Sequence, residues 1–201
     1  HPMPDENSVV AAGEVLKLAD RVTGEEQVLL LLSGGGSALV EMPMQGLTLQ
    51  EVKRVTDLLL KCGANIVEIN TVRKHLSSIK GGKLAERLLP AKGYAIILSD
   101  VVGNHPEMIA SGMTYVDDTD AADVMDVIER YGLDLGENVL QVLGKSSATL
   151  ASNIVNIVEG NVEELCNAAA LHTAAAGYTP YILSTAAKGE ARELGKRFAR
   201  M

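Results

Sequence analysis

The chain has 201 residues, 47% of them apolar, and a formal net charge of −8. That length and apolar content are enough to bury a core, and the expectation is a single α/β domain over residues 1–201. The acidic balance excludes a nucleic-acid-binding face, and no apolar run approaches the roughly 20 residues of a membrane-spanning helix, so a cytoplasmic protein without nucleic-acid or membrane partners is expected. Cys62 and Cys166 fit neither a CxxC nor a zinc-ligand spacing and are expected as reduced, mostly buried thiols. The chain opens on His1 and stops at Met201 inside a helical pattern, which reads as a fragment with sequence missing on both sides. Composition leaves oligomeric state open, a homo-oligomer included.

In chain order, a polar, proline-stiffened lead precedes a helix reaching about Arg21, with Val9, Ala12, Leu16 and Ala19 at helical spacing. The unbroken apolar run 28–32 predicts a strand of a parallel sheet covered on both faces. Directly after it stand Ser33, Gly34, Gly35, Gly36 and Ser37, a turn whose backbone N–H groups can approach an anion where a Cβ would intrude. Thr48 and Glu51 have the spacing of a capping box, with Leu47 and Val52 as a hydrophobic staple, and start a helix that breaks at Gly63. Residues 64–76 have mixed periodicity and read as a helix, 83–88 as a short one, and 94–99 as a second strand. Residues 100–118 form a long aperiodic loop of the kind that carries function. Helices follow at 121–131 and 138–143, a third strand at 154–158, a helix at 162–175, a fourth strand at 178–183 and a final helix from Gly189. Strands alternating with helices predict a three-layer, Rossmann-like, mostly parallel sheet, incomplete at both ends, with ligand loops at its carboxyl edge: 33–37, 99–112 and 184–190.

The glycine loop matches neither standard nucleotide fingerprint. A P-loop requires Lys-Ser or Lys-Thr after the last glycine, where this chain has Ser37-Ala38, and a GxGxxG begun at Gly34 fails at Leu39. Such a loop offers amides and hydroxyls without charge, so cations must come from elsewhere. The densest basic cluster, residues 70–82, supplies them: Asn70, Arg73 and Lys74 share a helix face, and an arginine beside a double glycine suits a carboxylate or phosphate clamp. His75 reads as a hydrogen-bonded structural histidine. Asp100, directly after the second strand, stands where phosphoryl transfer needs a carboxylate to hold Mg²⁺ or accept a hydroxyl proton. Residues 109–112, including Ser111 and Gly112, can form a second backbone nest.

Taken together, the segments 32–39, 46–49, 68–77, 80–82, 98–103, 109–112 and 189–192, with the opening His1-Pro2 and Pro4-Asp5-Glu6, resemble the class II glycerate 2-kinase family, some of whose members carry the name hydroxypyruvate reductase. The resemblance implies transfer of the ATP γ-phosphoryl group to the 2-hydroxyl of D-glycerate with Mg²⁺. It further implies that this chain is part of the larger domain of a two-domain kinase, lacking an early lysine-bearing segment and the C-terminal domain. On that footing Ser33, Gly34, Gly35, Gly36, Ser37, Asn70, Ser111 and Gly112 bind nucleotide or substrate, Arg73 and Lys74 neutralise carboxylate or phosphoryl charge, and Asp100 takes the metal. Asn104 replaces the family's usual Asp and Met113 its usual Pro, which puts any metal role on Asp100 alone. Two other readings compete: an NAD(P)H-dependent hydroxypyruvate reductase, and a non-catalytic module that binds nucleotide or sugar phosphate.

Overall fold

The structure, a computed structural model, describes residues 3–99, 101, 105–187 and 189–200; the expected metal residue Asp100 and the family departure at Asn104 lie outside the described residues. Strands β1 (Gln27–Ser33), β2 (Lys92–Leu98) and β3 (Ile154–Val158) form one parallel sheet in the order β1-β2-β3. Val28 pairs with Gly93, Leu32 with Ile97, and Ala95 with Asn156. The helices are α1 (Glu6–Ala19), α2 (Gly36–Leu39), α3 (Leu49–Lys61), α4 (Ile66–Leu76), α5 (Lys83–Arg87), α6 (Ala121–Tyr131), α7 (Glu137–Leu143), α8 (Val162–Ala175) and α9 (Ala191–Phe198).

Apolar side chains collect in two clusters. One lies against the sheet and joins Ala12 of α1 and Leu84 of α5 to Ala95 and Ile97 of β2. The other is helical, built by Val52 and Leu59 of α3, Val72 and Leu76 of α4, Val127 of α6 and Leu143 of α7. The predicted capping box is present: the Glu51 N–H donates to Thr48 Oγ1 at 3.2 Å and the Thr48 N–H to Glu51 Oε2 at 2.7 Å. Leu47 packs on the same cluster as Val52, as a staple requires.

Helix α4 also begins at a capping box, where Asn65 Oδ1 accepts the Val67 and Glu68 N–H groups and Glu68 Oε2 accepts the Asn65 N–H. Glu68 also binds Arg130 and the Tyr131 hydroxyl, tying α4 to α6. Every residue from Glu68 to Leu76 is buried. This explains the mixed periodicity, because a helix enclosed on all sides has no solvent face to carry a polar stripe.

Two expectations change. Residues 178–183 form no strand; Pro180 removes a ladder donor, and Tyr178, Tyr181 and Leu183 are exposed, so aromatic and β-branched composition alone did not recruit a sheet partner. The sheet is open: Leu29, Leu31, Tyr94, Leu98 and Val155 all stand exposed on one face, so the continuous apolar run of β1 is covered on one side only among the described residues. The thiols of Cys62 and Cys166 are free and half-buried. No helix among the described residues is long and apolar enough to cross a membrane.

Because both halves of the α3 box are formed, Thr48→Ala is expected to lower unfolding stability by about 1 kcal/mol, while Thr48→Ser retains most of it. Urea denaturation followed by circular dichroism checks this, and equal midpoints for all three proteins would contradict it.

Candidate functional site

At the carboxyl edge of the sheet β1 ends in Ser33 and turns through Gly34 and Gly35 into the single turn of α2. Gly35 has φ of 83°, open to glycine at little strain. Gly36 is required for a different reason: a Cβ there would lie 2.9 Å from the Cβ of Ala110. Ala110 belongs to the predicted second nest, the one-turn segment Ile109–Ser111. Ala110, Ser111 and Gly112 take φ of 50°, 56° and 62°, a left-handed turn strained at two non-glycine positions by roughly 1–3 kcal/mol each. The double glycine of the basic segment holds that turn in place, for the Gly81 N–H donates to Ser111 O at 3.0 Å and the Gly82 N–H to Gly112 O at 2.8 Å.

This packing brings four expected residues together. Ser37 Oγ and Ser111 Oγ lie 3.0 Å apart, and Ser111 Oγ donates to Asn70 Oδ1 at 3.4 Å. Arg73 Nη2 donates to the Ser37 carbonyl at 2.9 Å. The guanidinium is therefore not a solvent-facing clamp; Arg73 is 9% exposed and its Nε has no hydrogen-bond partner among the described residues. Lys74 does not join this group. Its Nζ lies 3.3 Å from Asp117 Oδ1, at a separate buried hub where Asp117 also accepts the Thr119 hydroxyl at 2.8 Å. His75 Nε2 meets Thr119 Oγ1 at 2.9 Å, as expected of a structural histidine. An open cleft of about 580 Å³ runs beside Lys74, lined also by Thr114, Tyr115 and Asn156. The third expected ligand loop lies apart: Ser184 and Ala187 line a groove with Cys166 of α8 and Phe198 of α9.

Sequence reasoning missed the counter-charges. Lys80 Nζ donates to the Ser37 carbonyl at 2.6 Å and pairs with the Glu41 carboxylate, and both side chains are fully buried. Glu41 lies 39 residues from Lys80 and Asp117 lies 43 from Lys74, so no local pattern links the partners. Lys80 stood within the basic cluster, which was its one signal. Lys83 Nζ caps α4 by donating to the Lys74 carbonyl at 2.8 Å.

The electrostatics of this region follow from burial. Desolvation pulls Lys80 down to about 8 against the opposing pull of Glu41, and it lowers Arg73, Lys83 and His75 as well. Among the buried groups, Arg73, Lys74, Lys80 and the largely buried Lys83 outnumber the carboxylates Glu41 and Asp117, while Glu86 and Asp120 act on the region from its exposed margin. Excess positive charge in a region of low dielectric favours an incoming anion. Among the described residues no three His, Cys, Asp or Glu side chains group as metal ligands. Glu41 and Asp117 are both already held by cations, so these residues do not make a Mg²⁺ site.

Gly36→Ala is expected to destabilise the protein by about 1–3 kcal/mol through overpacking against Ala110. Adding Ala110→Gly, which removes the opposing Cβ and suits the left-handed backbone, should recover most of the loss. A double-mutant cycle in thermal unfolding tests this, and additive losses would show that the contact is not the cause.

Comparison with known proteins bears on what this site belongs to. Residues 1–144 match the family model described as Domain of unknown function (DUF4147). The chain is 43% identical over 199 residues to a D-glycerate 2-kinase of Thermotoga maritima, covering 99% of this chain and 48% of that protein. A relative from Agrobacterium vitis with hydroxypyruvate reductase in its name is 43% identical over 205 residues, which span 99% of this chain and 46% of that one. The crystal structure of a glycerate kinase from Thermotoga maritima superposes with a TM-score of 0.90 at 42% identity, covering all of this chain and 48% of that one. The chain thus spans about half the length of the curated relatives it matches. With a family model matched over most of its residues, the chain belongs to the DUF4147 domain family, in the company of relatives named as glycerate 2-kinases.

Proposed function

We propose that the protein to which this chain belongs phosphorylates the 2-hydroxyl of D-glycerate, with ATP as donor. The observation that carries this reading is the surplus of buried cations gathered behind the glycine turn at the carboxyl edge of a parallel sheet, where α/β proteins bind ligands. Glycerate and the phosphoryl group are both anionic, and phosphoryl transfer depends chiefly on positioning and charge stabilisation, with no covalent nucleophile required. The names of the relatives support the same substrate class.

In this reading Gly34, Gly35, Gly36 and Ser37 present backbone amides to phosphate oxygens, and the Ser37, Ser111 and Asn70 side chains supply neutral polar contacts with Ser33 and Gly112 at the margin. Arg73 acts from behind the loop, adding positive potential while fixing the Ser37 peptide. Lys74 borders the neighbouring cleft. Mg²⁺ is proposed as the counterion of the nucleotide; of this chain, Asp100 is the residue the sequence nominates for a share in it. The C-terminal part of the longer protein is proposed to close the site, with residues 1–201 forming most of the larger domain. The alternative, a nicotinamide-dependent hydroxypyruvate reductase, is favoured by the name of one relative and opposed by the loop, which has Leu39 where the dinucleotide fingerprint needs its third glycine.

The full-length protein should release ADP and form 2-phosphoglycerate from ATP and D-glycerate, and should leave NADH absorbance unchanged with hydroxypyruvate. Hydroxypyruvate-dependent loss of that absorbance would replace this reading with the reductase. Arg73→Ala should lower kcat/KM on the order of 100-fold. It should also cost about 1–3 kcal/mol of stability, because a part-buried carbonyl loses one of its two charged donors and a buried side chain its volume; unaltered kinetics would remove Arg73 from the site.

A further inference from the structure

We propose that Lys80 and Glu41 are a positioning pair that fixes the Ser37 peptide, and through it Arg73, for phosphoryl transfer; this rests on the kinase reading above. Two cations converge on one carbonyl, Lys80 Nζ at 2.6 Å and Arg73 Nη2 at 2.9 Å from Ser37 O. Like charges so close require an anion, and Glu41 supplies it: it pairs with Lys80 directly and its field also supports the charge on Arg73. Glu41 Oε1 and Arg73 Nε are both buried without hydrogen-bond partners among the described residues. Remove Lys80, and Glu41 is left as the natural partner for Arg73, drawing the guanidinium off Ser37. Remove Glu41, and two cations repel each other across a single oxygen.

Folding alone does not account for the arrangement. A buried ion pair adds little net stability over well-packed apolar side chains of similar volume, and often less than they do. Both members are 0% exposed, so neither serves solubility. What the pair does uniquely is orient one peptide plane at the end of the glycine turn, from a fixed point in the core.

The alkaline side of the pH profile offers a second handle. The groups facing Lys80 are Glu41 from the segment after α2 and Arg73 from α4, with Lys74, Lys83 and Asp117 in the next layer. Lys80 titrates near 8 in the folded state, below a free lysine near 10.5, so the folded protein loses this proton first. Between those values the unfolded chain binds more protons and Lys80's contribution to stability rises with pH. One of the two positive charges on the Ser37 carbonyl is lost over the same interval, leaving that of Arg73. Activity and stability should therefore part company as pH passes about 8.

The test uses the full-length enzyme, comparing wild type, Lys80→Met with Glu41→Leu, and Lys80→Arg. The double apolar variant is expected to melt at or above the wild-type temperature yet to lose on the order of 100-fold in kcat, the scale of a small misplacement near reacting groups. Lys80→Arg, charged at all relevant pH, should recover part of kcat and move the alkaline limb upward. A stable double variant with wild-type kcat overturns the proposal by showing the pair to be structural. Should that variant fail to fold, the wild-type profile decides: kcat/KM that holds level through pH 8 and above also overturns it. Wild type that transfers no phosphate to D-glycerate fails at the first measurement and takes the kinase reading down with it, an outcome distinct from active wild type with an active double variant.

Discussion

The structure is governed by the burial of helix α4 together with the cations it carries. Arg73 and Lys74 sit in a helix that from Glu68 onward has no solvent face, between an apolar cluster on one side and the glycine turn on the other. An ion moved into such surroundings without partners is costly by several kcal/mol. Each cation is accordingly met by something from far along the chain: the Ser37 carbonyl for Arg73, Asp117 for Lys74. Delivering those partners shapes the neighbourhood. The turn after β1 must come close enough to offer its carbonyl, which requires Gly36 against Ala110, and the double glycine must let backbone reach backbone beside Asp117.

Seen this way, the glycines of the two motifs belong to one device. A Cβ on Gly81 would lie 2.7 Å from Asp117 Oδ2, and one on Gly82 2.9 Å from the Tyr115 carbonyl. The first turn presents amides at the sheet edge. The second anchors the left-handed segment that carries Ser111, and that hydroxyl reaches both Ser37 and Asn70. Strain at Ala110 and Ser111 is tolerated because hydrogen bonds from Gly81 and Gly82 over-determine the turn.

Much of this was legible in the residues themselves. The Thr48 and Glu51 box, the three strands at 28–32, 94–99 and 154–158, and the helix stop at Gly63 rest on local physical chemistry and came through within a residue or two. The rule that ligand loops meet at the carboxyl edge of a parallel sheet put Ser37 near Ser111 but also named 184–190, which lies apart, and it did not place Asn70 or Arg73, which come in on α4. Three things were not legible. Glu41 and Asp117 answer cations dozens of residues away, and nothing in their immediate neighbours marks them. Residues 178–183 had the composition of a strand but no sheet edge to join, and strand formation depends on a partner more than on propensity. Whether Arg73 faces solvent or core was also beyond reach, since helical spacing gives a face but not what that face meets.

The open side of the sheet has its own consequence. Leu29, Leu31, Tyr94, Leu98 and Val155 make an exposed apolar plateau bordered by β1, an edge strand without a second strand partner among the described residues. Surfaces of that kind invite other chains to stack or pair on them. Handled by itself in a tube, this stretch of polypeptide would behave as a sticky half-shell, held in solution mainly by its negative charge and losing colloidal stability as acid neutralises its carboxylates.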